Sequence, residues 1–281
     1  MAGTRKDKQL DRRWIFLLIF MGVAIPLIFT IGFPIETTEN VRLVNEMIDK
    51  TTKGSKVIMS FDYDPASKPE LHPMGMAIMN HCFEKGLRVI VVALWPMGVQ
   101  MAEEIFSDLT EKYPQVIYGE DYINLGYKAG GIVTIQAMGS NFREVFPKDM
   151  NGNEIDDFPI LRGVEDFSNI GFIFSLSAGD PGIKQWVQVA HDKYGVPLSG
   201  GVTGVSAPAI LPYVNEQKQL NGLLAGLKAA AEYEFLIETP GTATSGMDAQ
   251  SIAHLIIIVF IAIGNITYWT TRKKVKREGE K

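Results

Sequence analysis

Two long uncharged runs bracket this chain, and no other feature constrains its fold as strongly. Residues 14–33 (WIFLLIFMGVAIPLIFTIGF) and 251–271 (SIAHLIIIVFIAIGNITYWTT) contain no Asp, Glu, Lys or Arg. At ~1.5 Å per residue, a helix of either length covers the roughly 30 Å hydrocarbon core of a bilayer. Both runs are therefore expected to be transmembrane helices. Pro26 interrupts the first, which a membrane helix tolerates with a kink when neighbours satisfy the freed carbonyl. A cleaved signal peptide would show a shorter apolar core of ~7–15 residues and a small-residue cleavage site, and neither precedes Pro34. In the second run, Tyr268 and Trp269 stand where amphipathic rings favour the membrane interface, and a basic cluster follows at once.

The formal net charge of −5 hides a segregation. The segments outside the two runs hold 11 of the 27 basic residues and 4 of the 32 acidic ones, leaving 16 basic and 28 acidic side chains between them. Basic flanks stay in the cytoplasm, so both termini are expected inside and the long middle segment on the opposite face. An acidic body does not bind nucleic acid, which needs basic surface for counterion release. The expected partners are the lipid bilayer, further copies of the chain in a homo-oligomer, and other membrane proteins. Cys82 is the only cysteine, which excludes a disulfide framework. His254 and Asn265 are the polar outliers of the second run; without a charged residue in either run, interhelical hydrogen bonding fits them better than an ion pathway.

The division that follows is a basic tail over 1–13, a span over 14–33, an α/β domain over 34–238, a linker over 239–250, a span over 251–271 and a basic tail over 272–281. Within the domain, apolar strands alternate with amphipathic helices. Residues 56–61 (KVIMSF), 87–94 (LRVIVVAL), 170–177 (IGFIFSLS) and 196–202 read as strands, and 40–50, 74–83, 96–113 and 181–194 as helices. Near-continuous apolar strands separated by such helices mark parallel βαβ units. Residues 220–237 read as one long helix with a stripe of Leu220, Leu223, Leu224, Leu227, Ala231 and Phe235. Residues 116–118 fit a short strand, 130–138 fit strand or helix, and 149–157 an exposed loop. The expected fold is a three-layer α/β domain with a mostly parallel sheet, flanked by one N-terminal and one C-terminal transmembrane helix.

In open parallel sheets, ligands gather at the carboxyl ends of the strands. Those ends carry Asp62 and Asp64, then Ser177 and Asp180, then Gly201, Thr203 and Ser206. Asp62 and Asp64 offer two hard oxygen ligands for a cation such as Mg²⁺, or a turn in which Asp64 orders the backbone before Pro65. Ser177 stands at a strand-to-helix turn as a nucleophile would, yet no well-placed histidine follows it to act as base. Asp180-Pro181 fits a helix start, with Asp180 as cap. The 200–206 stretch is a candidate anion cradle through its backbone N–H groups, although it matches neither nucleotide-binding glycine pattern. Gly222-Leu-Leu-Ala-Gly226 spaces small residues for close helix packing or self-association.

No complete catalytic constellation emerges. The leading expectation is a two-span membrane protein whose extracytoplasmic α/β domain serves in binding or homo-oligomeric assembly, in the manner of a scaffold. The alternatives are a membrane-tethered, metal-dependent hydrolase using Asp62 and Asp64, and an extracytoplasmic small-molecule sensor.

Overall fold

The computed structural model describes residues 12–278. Most of the expected basic tails, including the side chains of 273–278, lies outside the described residues. The chain divides into two units: a lobe, Pro34–Ala243, and a helical unit built from the chain up to Phe33 and from Thr244 onward.

The lobe is a six-stranded, all-parallel sheet between two layers of helices. Its strands are β1 (Lys56–Asp62), β2 (Arg88–Ala93), β3 (Tyr122–Tyr127), β4 (Ile170–Ser177), β5 (Leu198–Val202) and β6 (Leu223–Ala225). Their order across the sheet is β3-β2-β1-β4-β5-β6, the doubly wound arrangement in which direction reverses between β1 and β4. The central strands are buried on both faces, which is why they read as unbroken apolar runs. One layer holds α2 (Glu39–Lys50), α3 (Lys68–Glu84) and α4 (Gly98–Lys112). The facing layer holds the short helices α5 (Ile132–Met138), α6 (Phe142–Val145) and α7 (Ile183–Trp186), the last continuing as a π-turn over Val187–His191. Its core packs Trp186, Phe167, Phe142 and Phe146 against Ile58, Ile90 and Ile173. After β5 come the one-turn α8 (Ala207–Ile210), β6 and α9 (Gly226–Leu236), which packs on α3.

Both ends of the lobe are tied to α9 by buried carboxylates. Glu232 accepts the Thr38 N–H at 2.8 Å and the Thr38 hydroxyl at 2.7 Å, and is also paired with Lys228. Glu234 accepts the N–H groups of Gly241 at 2.9 Å and Ala243 at 3.1 Å, at the start of α10 (Thr242–Glu278). A negative group at the first turn of a helix satisfies orphan donors and complements the dipole.

Several expectations are corrected. The single helix over 220–237 is instead β6 followed by α9: Gly226 adopts φ +70°, which ends the strand and turns the chain into the helix. Its Leu223 and Leu224 are buried as strand residues, so the 222–226 segment is a sheet edge rather than a helix-packing motif. The sheet gains β3, unforeseen between the short strand expected at 116–118 and the helix that 130–138 becomes. The linker expected over 239–250 is helical from Thr242 onward. The 149–157 loop is ordered from within: buried Asp149 accepts the N–H groups of Asn151 and Asn153 and the Tyr118 hydroxyl. Burial pushes the Asp149 pKa up, but these hydrogen bonds outweigh it and hold the carboxyl below its ordinary value.

Among the described residues, the second unit contains one helix long and apolar enough to cross a membrane, over Thr242–Thr270; only 6% of its most apolar stretch is buried, so it is not a core helix. The expected N-terminal span of 20 residues is a shorter apolar helix, α1 (Arg12–Ile28), containing Pro26. It stops because the next backbone donors are taken from outside the helix. Asp248 accepts the N–H groups of Ile31, Gly32 and Phe33 at 2.9, 2.8 and 3.1 Å. Thr30 and Ser245 share a hydroxyl hydrogen bond of 2.7 Å.

Candidate functional site

The carboxyl ends of β1 and β4 meet where strand order reverses, the expected place for a ligand in a doubly wound sheet. Asp62 ends β1 and is register partner to Ser177, the last residue of β4. The Asp62 side chain is completely buried. One carboxylate oxygen accepts the Leu94 N–H at 2.8 Å. The other accepts the hydroxyls of Ser60 at 2.7 Å and Ser175 at 3.2 Å and the Trp186 indole N–H at 3.4 Å. Burial pushes its pKa up to about 7, against the pull of those donors on the charged form. With four donors on two oxygens, the carboxylate is saturated by protein. It fastens β1 to β2, β4 and α7 at one point.

Asp64 does not join it. Its carboxylate accepts the Ala66 N–H at 3.1 Å, the local turn that precedes α3. Among the described residues, no group of three or more His, Cys, Asp or Glu is arranged to hold a metal ion. The residues present at Asp62 and Asp64 thus do not compose a Mg²⁺ site.

Ser177 donates its hydroxyl to the Gly179 carbonyl at 2.9 Å and is covered by the backbone at Gly182, where an added Cβ would lie 1.9 Å from Ser177 Oγ. That leaves no approach for an electrophile. Asp180 is exposed and, among the described residues, receives only the Gln185 amide at 3.4 Å. The cap of α7 is Gly182, whose N–H donates to Gln185 Oε1 at 2.8 Å, so Asp180 lies before the helix rather than capping it.

The third cluster separates as well. Gly201 lies inside β5, not in a loop: a Cβ there would stand 2.7 Å from Met74 Sδ, so glycine is what lets α3 rest on the sheet. Thr203 donates to Ser206 Oγ at 3.0 Å, forming the turn into α8. The N–H of Gly204 points at an anion, but that anion is Glu70 of α3, at 2.8 Å. The cradle read from the sequence is occupied by the protein's own carboxylate.

Trp95, a strand-end residue to which the sequence assigns no role, closes the crevice. It leaves the end of β2 and donates its indole N–H to the Pro181 carbonyl at 2.9 Å, beyond β4. Since β1 lies between those strands, the indole spans its carboxyl end, and its ring edge lies 3.4 Å from where a Gly179 Cβ would be. The place where doubly wound sheets receive ligands is filled by side chains satisfied within the fold. The signal was an uncharged Trp-Pro directly after an apolar strand, and the unsigned part was its reach. No protein-family model, curated protein or solved structure matches the chain.

Proposed function

We propose that this chain is a membrane-anchored binding or assembly module, with its α/β lobe outside the cytoplasm and both termini inside. The observation that carries the reading is the helical unit. Gly22 of α1 lies against Ile252 and Ile256 of α10, and Leu18 borders an apolar groove on Ile256, Val259 and Phe260. Phe16, Phe20, Leu255, Ile258 and Ile261 point outward and stay exposed. Two apolar helices in contact, with their remaining apolar surface uncovered, are what a bilayer completes. On this reading α1 is the first span despite its length, closed at its outer end by Asp248, and α10 the second. The positive-inside bias of the flanks sets the orientation.

Within the lobe, Met97, Val133 and Val205 stand exposed, Val205 at 90%. Apolar side chains left in water support a role in self-association or partner binding. Membranes containing the full chain are expected to retain it through alkaline carbonate washing and to float with it in a density gradient. Light scattering of the protein in nanodiscs is expected to give a multiple of the chain mass. Release by carbonate overturns the anchoring, and a strictly monomeric mass overturns the assembly.

A further inference from the structure

The long apolar helix α10 has one covered side and one open side. Its Ile252, Ile256 and Phe260 are partly buried: the first two lie against Gly22 of α1, and Phe260 lines the groove beside Leu18. At 3.6 residues per turn, about 100° per residue, these three positions share a face. His254, Ile258, Ile261, Asn265 and Tyr268 share the face roughly opposite, and all five are exposed. Their successive separations are 4, 3, 4 and 3 residues, the 3.5-residue repeat of a seam between two helices. The next position in that series is Arg272, which belongs to the basic flank and ends the seam there.

Two of the five carry hydrogen-bonding groups that the chain itself leaves unused. Thr267 and Thr270 return their hydroxyls to the Ile263 and Ile266 carbonyls of the same helix, at 2.8 and 2.9 Å. The imidazole of His254 and the side-chain amide of Asn265 make no hydrogen bond among the described residues. α1 does not supply one: it lies on the covered side, and the only hydroxyl of its apolar run, Thr30, is shared with Ser245. In hydrocarbon, an unpaired amide costs free energy until a second polar group reaches it. A neutral imidazole has one donor and one acceptor, and an amide has both kinds, so each is complementary to a copy of itself.

We propose that a second copy of this chain covers the open face, in a parallel pairing of α10 with α10. Ile258 and Ile261 are its apolar contacts, and His254 and Asn265 each meet their own counterpart across the two-fold axis. The pairing rests on the proposed membrane anchoring, which gives every copy the same orientation. Equal orientation brings identical residues to equal depth, so both polar pairs close in a single register. The two positions are 11 residues, about 16 Å, apart along the helix. A different partner would have to present polar groups at both depths with that separation, which a second copy does by identity. A single Asn at a seam position is also what fixes register and strand number in parallel coiled coils.

The test is oxidative disulfide crosslinking of the full chain in carbonate-washed membranes, where the completely buried Cys82 does not react. Ile258→Cys and Ile261→Cys sample the seam, while Leu255→Cys and Ile266→Cys sample exposed positions outside it. The seam pair is expected to give a product of twice the chain mass, several-fold more abundantly than the other two. Adding Asn265→Leu to Ile261→Cys should cut that yield about threefold or more, and Asn265→Gln, which keeps the amide, should preserve most of it. A chain released by the carbonate wash overturns the anchoring and the pairing with it. A retained chain that crosslinks equally at all four positions, only outside the seam, or not at all overturns the pairing alone. A product of any other mass does the same, because it assigns the face to a different protein. A yield indifferent to Asn265→Leu overturns the register.

Discussion

Asp62 shows how a residue type can be legible and its use hidden. An aspartate after an apolar strand, with a second two positions on, is compatible with a metal site, and only the direction of the side chain decides. The signal lay in parity: Ser60, Asp62, Ser175 and Ser177 share one face in register, so polar groups on two otherwise apolar strands were positioned to satisfy one another. Replacing Asp62 by Ala leaves the Leu94 N–H and two buried hydroxyls without their acceptor and is expected to cost about 2–4 kcal/mol, read as a fall in the melting temperature of the solubilised chain. Asp62→Asn keeps an acceptor for Leu94 and should cost less. It also removes a pH dependence whose sign is fixed. The folded pKa of about 7 exceeds the ordinary 3.8, so the folded state binds the proton more tightly. Stability therefore falls as pH rises from about 4 to about 7 and levels off above that. Melting curves across this range should slope for the native chain and flatten for Asp62→Asn at this position; equal slopes would show that Asp62 is not the titrating group.

At the scale of elements, strands that run apolar throughout and helices with a single stripe were readable, because burial on two faces and on one leave different periodicities. Thus β1, β2, β4 and β5 and the helices α2 to α4 follow from local pattern. The failures are where pattern and length conflict. β3 (YINLGY) mixes a buried Asn124 and two tyrosines into its six residues, and the Asn124 side chain is satisfied by one tertiary and one local partner: its amide donates to Glu103 at 2.7 Å and its oxygen accepts the Gly126 N–H at 3.0 Å. β6 is three residues long, too short to break the helical stripe that continues into α9. Close packing between elements is equally invisible to periodicity. Gly98, the first residue of α4, lies so near β1 that a Cβ would stand 1.8 Å from the Phe61 carbonyl oxygen. Backbone cannot swing aside as a side chain does, so Gly98→Ala is expected to destabilise by about 3 kcal/mol or to prevent folding. A substituted chain that melts with the native one would mean that α4 can shift off the sheet freely.

For the whole molecule, the proposed double anchoring makes a prediction that the chain is unusually suited to test. Cys82 is the only cysteine, it is completely buried, and burial pushes its thiol pKa far up, so the native protein should be silent to thiol reagents. Any introduced cysteine then reports alone. Val205, the most exposed large apolar residue of the lobe, tolerates Cys without touching the core. Thr4 lies ahead of the first apolar run, among Arg5, Lys6 and Lys8, in the segment whose charge argues for a cytoplasmic terminus. If two helices carry the lobe across the membrane, a membrane-impermeant maleimide should label Val205→Cys on intact cells and Thr4→Cys only after permeabilisation. Lys281→Cys, beyond the second run, should behave as Thr4→Cys does, since an even number of crossings returns the chain to its starting side. Opposite behaviour of the two terminal positions would mean that only α10 crosses and that α1, the shorter helix, lies at the membrane without spanning it. Both termini labelled on intact cells, with Val205→Cys protected, would place the lobe in the cytoplasm and reverse the orientation argued from charge.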